Sequence, residues 1–163
     1  MAIINKKNQI HLRCINPDVL ESKSEGWTGK IDENAAGLAA AIWAPDSRQI
    51  LAYSEFNLRV TVWSLVKQDQ VAMIKNHKLL PPKGLSFSKN KNFMAFAERR
   101  DLKDWVSIYY TQDSWKMVNT FEVDTFDMSD FEWCKADSAI LIWDTPLENK
   151  LLIYSAMTGQ VIA

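Results

Sequence analysis

Charge of one sign, cysteine, histidine and glycine are all scarce in this chain, and each shortage removes a class of function. Nineteen Lys and Arg stand against twenty Asp and Glu, a formal charge of −1, so no basic surplus points to nucleic acid as a partner. Two cysteines, Cys14 and Cys134, are too few for a disulfide framework, and a reducing compartment is the simpler expectation. Two histidines, His11 and His77, leave little room for nucleophile-plus-histidine catalysis. The five glycines are scattered at Gly26, Gly29, Gly37, Gly84 and Gly159, so there is no glycine-rich phosphate loop. No apolar run approaches the ~18 residues of a membrane span, and residues 1–9 hold no apolar segment before a small-residue cleavage site. A soluble, cytoplasmic protein without membrane insertion is expected.

Apolar residues, by contrast, are plentiful. With 47% hydrophobic residues and seven Trp in 163 positions, the chain is too apolar for disorder and long enough to bury a core as one domain.

Self-similarity then organises that apolar content. Segments 60–65, 106–111 and 151–156 share branched residues followed by an aromatic, and the aromatics Trp63, Tyr109 and Tyr154 lie 46 and 45 residues apart. Two matched strands precede each: 38–45 with 49–56, 84–88 with 93–99, and 129–134 with 139–144. Polar turns join them at Asp46-Ser47-Arg48, Asn90-Lys91-Asn92 and Ala136-Asp137-Ser138. A fourth strand is expected at 70–74, 115–121 and 159–162.

Inner strands such as 49–53 and 139–143 are apolar throughout, which calls for cover on both faces. Stacked four-stranded blades supply that cover, and a period near forty-five residues is their spacing. The expected fold is all-β, a partial WD-repeat β-propeller of about three and a half four-stranded antiparallel blades. Residues 1–33 are the outer half of a blade, with strands at 9–15 and 27–31, and 34–78, 79–125 and 126–163 are blades. An unclosed arc is expected to expose an apolar sheet face at each end. A β-sandwich is the rival architecture, and the long register-matched period argues against it.

Several stretches resemble one particular WD-repeat family. They are Lys30-Ile-Asp-Glu33 with Ala36-Gly-Leu38, residues 54–65, Ala97-Glu-Arg-Arg-Asp101 with residues 103–108, and Trp143-Asp-Thr145 through Tyr154. Glu-Arg-Arg-Asp and Trp-Asp-Thr at these offsets are not general WD-repeat consensus. The family resembled is that of the centrosomal and spindle-pole WD-repeat proteins antisense to tumour protein seventy-three, whose members are longer, with further blades. The resemblance implies a non-catalytic scaffold that binds a coiled-coil partner at centrosomes, spindle poles or basal bodies. It also implies a role in anchoring microtubule minus ends and in cilium assembly.

Departures from the general WD pattern are equally clear. No Gly-His dipeptide precedes a first strand, and Ser64 and Ser155 stand where Asp would follow the third-strand aromatic. Trp143-Asp144 ends a second strand instead. Blade cohesion is therefore expected to rest on apolar and aromatic packing.

Catalytic and metal chemistry find little support. His11 and His77 read as surface residues, and His11 with Cys14 fails as a metal pair because positions an odd number apart in a strand face opposite ways. Cys134 reads as a buried apolar filler. The carboxylates Glu122, Asp124, Asp127 and Asp130 read as a solvated loop between blades. No catalytic residue, metal or cofactor is assigned.

The most informative polar cluster is residues 98–104, with Glu55 and Arg59, and Glu148 and Lys150, as its equivalents in the flanking blades. All three connections between second and third strands fall on one rim, where loops on a rigid scaffold concentrate binding residues. The expected interaction site is Phe56, Asn57, Arg59, Glu98, Arg99, Arg100, Asp101, Lys103, Asp104, Glu148 and Lys150. Internal pairing of Arg99 and Arg100 with Glu98, Asp101 and Asp104 is the competing account. The acidic neighbours and lack of glycine argue against a phosphoinositide loop. The functional expectation is a protein-interaction scaffold, its other blades on a longer chain. The alternatives are a propeller hydrolase with carboxylates in the channel, or a stand-alone β ligand binder.

Overall fold

Wherever branched and aromatic residues run between turn signals, the computed structural model forms a strand; it describes residues 1–13, 28–33 and 37–163. Four antiparallel sheets follow one another along the chain. The first contains β1 (Ala2–Ile4), β2 (Gln9–Arg13) and β3 (Thr28–Asp32). The second contains β4 (Leu38–Trp43), β5 (Gln49–Ser54), β6 (Arg59–Ser64) and β7 (Asp69–Lys75). The third contains β8 (Leu85–Phe87), β9 (Phe93–Arg100), β10 (Lys103–Tyr110) and β11 (Lys116–Val123), and the fourth β12 (Asp130–Trp133), β13 (Ala139–Trp143) and β14 (Leu151–Ser155).

Spatial order follows chain order within every sheet, as a meander requires. Trp63, Tyr109 and Tyr154 all sit in the third strand of their sheets, opposite Ile50, Met94 and Ile140 of the second strands. The period read from these aromatics is thus a period of structure.

At the N-terminal end the expectation needs correction. The first sheet is not an outer half, because β1 supplies an inner strand that pairs with β2 from Ala2↔Leu12 to Ile4↔Ile10. Three residues are too few for periodicity to reveal. The fourth strand expected at 159–162 forms as a short pairing after the Gly159 turn: a bridge between Tyr154 and Val161, flanked by bonds of Ser155 to Gln160 and of Ile153 to Ile162 and Ala163. Cys14, Trp27 and the end of the strand expected at 9–15 lie outside the described residues.

One turn is built three times. Ala44, Ser88 and Cys134 each donate an N–H across the hairpin mouth, to the carbonyls of Gln49, Phe93 and Ala139, and each accepts an N–H three residues on. That acceptance bends Ser47, Lys91 and Asp137 into the left-handed region, with φ of 57°, 62° and 56°. A side chain there costs roughly 1 kcal/mol, which glycine avoids. Lys91→Gly is therefore expected to raise stability by up to about 1 kcal/mol, less the backbone entropy glycine adds to the unfolded chain. Urea unfolding checks it, and a lowered midpoint at unchanged slope counts against this account.

Three apolar layers lie between successive sheets. Ile10, Leu12 and Ile31 of the first meet Ile50 and Ala52 of the second. Leu51, Tyr53, Val60 and Val62 meet Met94 and Phe96 of the third, and Val106, Ile108 and Phe121 meet Phe131, Ile140 and Tyr154 of the fourth. At roughly 1.5–3 kcal/mol for each large side chain removed from water, these layers hold the stack together.

The strands register this stacking. In β5 and β9 the apolar positions are buried on both faces, whereas the equally apolar β13 alternates between buried and half-buried residues. Its outward side chains Leu141 and Trp143, with Leu151 and Ile153 of β14, have no sheet against them among the described residues. The first sheet differs: its outward face carries Gln9, His11, Arg13, Lys30 and Asp32. There Gln9 Nε2 donates to Asp32 at 3.0 Å, Lys30 pairs with Asp32 at 3.3 Å, and Asn5 bonds the His11 ring at 2.9 Å. The expectation of an apolar face at both ends is thus corrected, because polar residues alternate with apolar ones in β2 and β3.

Candidate interaction rim

Antiparallel meanders place each connection between second and third strands, and each link from one sheet to the next, at the same end of the stack. That end is the rim on which the sequence placed its candidate residues. The connection in the second sheet is a short 3-10 turn, Glu55–Asn57, in which Phe56 adopts φ 58°. In the third sheet β9 and β10 extend so far that only Asp101 and Leu102 remain between them, at φ 50° and 63°. Residues 98–104 are therefore mostly strand and not loop, which corrects the sequence reading: alternating apolar partners carry the ladder to Arg100↔Lys103.

Burial divides the candidates sharply. Asp104 is fully buried and Glu98 5% exposed, so both belong to the framework beneath the rim. Asp104 accepts from Lys78 Nζ at 2.9 Å, Arg99 Nη1 at 2.7 Å, Thr125 Oγ1 at 3.0 Å and the Met128 amide. Burial raises its pKa, but the Met128 amide, Lys78 and Arg99 outweigh that and hold it below the ordinary carboxylate value. Arg99 also reaches Asp127 at 3.4 Å. Arg100 lies 3.1 Å from Glu98, donates to Thr120 Oγ1 at 2.7 Å and stacks 4.5 Å over the Trp105 ring. Both arginines are thus tied into their own sheets, with partners that differ in part from those read in the sequence, since Asp101 pairs with neither.

Lys103 pairs with Glu122 and Lys150 with Asp124, at 2.5 and 2.6 Å. Arg59 pairs with the buried Glu33 at 3.3 Å, and Asn57 donates to the Lys78 carbonyl at 3.1 Å. Of the acidic residues read as a solvated loop, Glu122, Asp124 and Asp127 are exposed and ion-paired, whereas Asp130 accepts the Gly84 N–H at 2.8 Å across the sheet boundary.

Large apolar side chains also stand at the tips. Phe56 is 88% exposed, Leu102 87% and Leu147 95%, one on each successive connection. Phe126, on a link between sheets at the same end, is 75% exposed. Large side chains so fully in water are uncommon, and these recur at equivalent places. Leu102 and Leu147 escaped the sequence reading, which looked for charge; the signal was an apolar residue at each turn tip. A cavity of about 520 Å³ opens at this end between Lys83, Trp143, Asp144, Pro146, Lys150 and Leu151.

Polar networks also bridge or brace the blades, so cohesion is not apolar alone as expected. Glu33 accepts from Thr61, Trp63 and Arg59; in the next sheet Glu98 accepts from Tyr109 and pairs with Arg100, which bonds Ser107. Thr61 and Ser107 stand at the same distance before the matched aromatics Trp63 and Tyr109. The polar tips of Trp63 and Tyr109 are thus each satisfied by a carboxylate, Glu33 from the preceding segment and Glu98 from the neighbouring strand. Asp137 accepts the Lys89 and Asn90 amides at 2.6 and 3.0 Å, a further tie across sheets.

Three single residues complete the comparison with expectation. His11 is exposed, as read. His77 is not a surface residue: it is 2% exposed, packed edge-on to Tyr53 with centroids 5.4 Å apart and against Phe96. Its backbone bridges to Glu98, which draws the ring inward and lowers its pKa from 6.5 to about 4 through burial. Cys134 is not a buried filler but a half-exposed turn residue, because it opens the third copy of the shared turn. Its thiol pKa falls to about 7, chiefly through the Ser138 hydroxyl 3.6 Å away, with the Ala139 amide assisting. Among the described residues no group of three or more His, Cys, Asp and Glu could hold a metal, and no helix is long and apolar enough to cross a membrane.

Comparison with known proteins places this architecture. No family model matches the chain. The mouse WD repeat-containing protein WRAP73 is 45% identical over 137 residues, which cover 84% of this chain and 29% of that protein. The chain thus spans less than a third of the length of the curated relative it matches. Among solved structures, a chain of a mitotic checkpoint complex superposes with a TM-score of 0.64 at 14% identity, covering 98% of this chain and 47% of that one. A Bacteroides fragilis protein described as a putative 6-phosphogluconolactonase gives 0.60 at 14% identity, over 99% and 52%, and a eukaryotic initiation factor 0.62 at 14%, over 100% and 41%. At such identity these likenesses concern the fold, a β-propeller arc. The stacked meander sheets, the matched aromatics and the mouse relative make this chain a WD-repeat protein of the WRAP73 family, matched over part of that family's length.

Proposed function

We propose that the chain is a non-catalytic protein-interaction scaffold of the cytoplasm, acting at the centrosome, spindle pole or basal body in microtubule minus-end anchoring and cilium assembly. The observation that carries the proposal of a docking rim is the recurrence of an exposed large apolar side chain on all three equivalent connections, Phe56, Leu102 and Leu147. Rigid sheets hold these tips in fixed relation, so a partner meets a preorganised surface and little ordering entropy opposes binding. The resemblance in sequence to WRAP73 supports the cellular setting, with a coiled-coil protein as partner and further blades on a longer chain.

Substituting the tips tests the proposal. Phe56→Ser, Leu102→Ser and Leu147→Ser together, placed in a full-length chain, are expected to leave thermal stability unchanged, since the side chains are solvated. The same variant is expected to lose at least tenfold in partner recovery by affinity purification and to lose centrosomal fluorescence. Recovery of the wild-type partners at wild-type yield would sink the rim reading.

A further inference from the structure

Beside each exposed apolar tip stands an exposed carboxylate that pairs with no cation among the described residues: Glu55 next to Phe56, Asp101 next to Leu102, and Glu148 next to Leu147. Most cations on this rim are otherwise engaged, although Lys75 and Lys83 at the same end are exposed and in no ion pair among the described residues. Lys78 and Arg99 are held by Asp104 and Asp127, Lys103 by Glu122, Lys150 by Asp124, and Arg59 by Glu33. The bases beside the three tips are thus neutralised, and the tip acids are left free. Geometry holds the pairs in place. Glu55 donates its N–H to the Gly37 carbonyl at 2.7 Å and its side chain lies where a Cβ on Gly37 would be. Asp101 and Leu102 share a two-residue turn, and Glu148 donates its amide to the Thr145 carbonyl at 3.1 Å.

We infer that the rim takes a cationic, apolar-studded protein segment, in which Leu-like side chains meet Phe56, Leu102 and Leu147 while Lys or Arg beside them meets Glu55, Asp101 and Glu148. The inference rests on the rim reading above and adds the sign of the partner's charge. Apolar contact supplies most of the affinity, and the carboxylates select among apolar segments by making an acidic one cost like-charge repulsion. The same acids repel an anionic membrane surface, which excludes a lipid headgroup as the ligand of this rim.

Two synthetic peptides, one of alternating Leu and Lys and its twin of alternating Leu and Glu, test the inference on the folded chain by fluorescence anisotropy. The Leu–Lys peptide is expected to bind about tenfold more tightly, a preference that weakens as salt is added. Glu55→Gln with Asp101→Asn and Glu148→Gln is expected to abolish that preference while both peptides keep their apolar affinity. Asp69→Asn with Asp113→Asn, exposed on the opposite rim, serves as the control for unspecific attraction. Equal binding of the two peptides, equal loss in the control, or binding to phosphatidylserine vesicles overturns the inference. Those outcomes leave the rim reading standing, because that reading depends on the serine variant and on native partners. Peptide binding unchanged in the serine variant overturns both.

Discussion

Asp104→Asn is expected to destabilise the chain by roughly 3–5 kcal/mol, the cost of breaking a buried ion pair from one side. The carboxylate is fully buried and faces four donors: Lys78, Arg99, Thr125 and the Met128 amide. An amide in its place keeps the volume but turns one acceptor into a donor aimed at cations, so Lys78, itself only 10% exposed, keeps only the exposed Asp127 as counter-charge. The site also fastens the third sheet to the link that enters the fourth, through Thr125 and Met128. For a chain of this size the melting temperature should fall by roughly 10 °C. Calorimetry checks it; a fall of only a degree or two would mean that water reaches the pocket and screens the charges. Sign follows from the lowered pKa. This stability is present above the unfolded value of 3.8 and is lost as pH falls through the lower folded value.

Acid should weaken the fold well before that, through His77. Both ring nitrogens lack a hydrogen-bond partner, and the ring is packed between Tyr53 and Phe96. The Tyr53 hydroxyl beside it is likewise unpartnered, its pKa pushed up by burial. A folded pKa of about 4 against 6.5 unfolded means that the unfolded chain takes up a proton the folded one refuses. Stability is therefore intact above pH 6.5 and declines towards pH 4, by about 3 kcal/mol in all. Glu98 bridges to the His77 backbone without bonding the ring, so no carboxylate offsets the charge. His77→Phe keeps an aromatic ring between its neighbours and should flatten the pH dependence across that window while changing neutral-pH stability little. Urea midpoints from pH 7 to 4 decide the matter: parallel slopes for wild type and variant would show that other groups carry the acid sensitivity.

How much of this was legible before the coordinates depends on which force placed each residue. Trp63, Tyr109 and Tyr154 lie in equivalent strands because stacked sheets demand the same apolar pattern in each repeat, and pattern is what a sequence displays. Three-residue β1 was invisible, since pairing with β2 and packing of Ala2 and Ile4 on the next sheet create it from too short a pattern. His77 was misplaced because a histidine among Asn76 and Lys78 reads as loop, while its burial comes from Tyr53 and Phe96 far along the chain. Strand polarity puts the three connections between second and third strands at one end of the stack, and the meander order agrees. Of the two accounts the sequence left for Glu98, Arg99, Arg100 and Asp104, internal pairing is the one the ion pairs match, with Asp101 outside it. Exposed leucines at turn tips carried the better signal.

The unlike faces of the first and last sheets give the arc a direction. A second copy set head to tail would press Leu141, Trp143, Leu151 and Ile153 onto Arg13, Lys30 and Asp32, stripping water from charges for which that apolar surface offers no counterpart. Self-stacking into rings or filaments is thereby penalised on one side only. The two end faces therefore offer unlike surfaces: the sheet bearing Trp143 presents an apolar one, and the sheet bearing His11 a charged and hydrogen-bonded one.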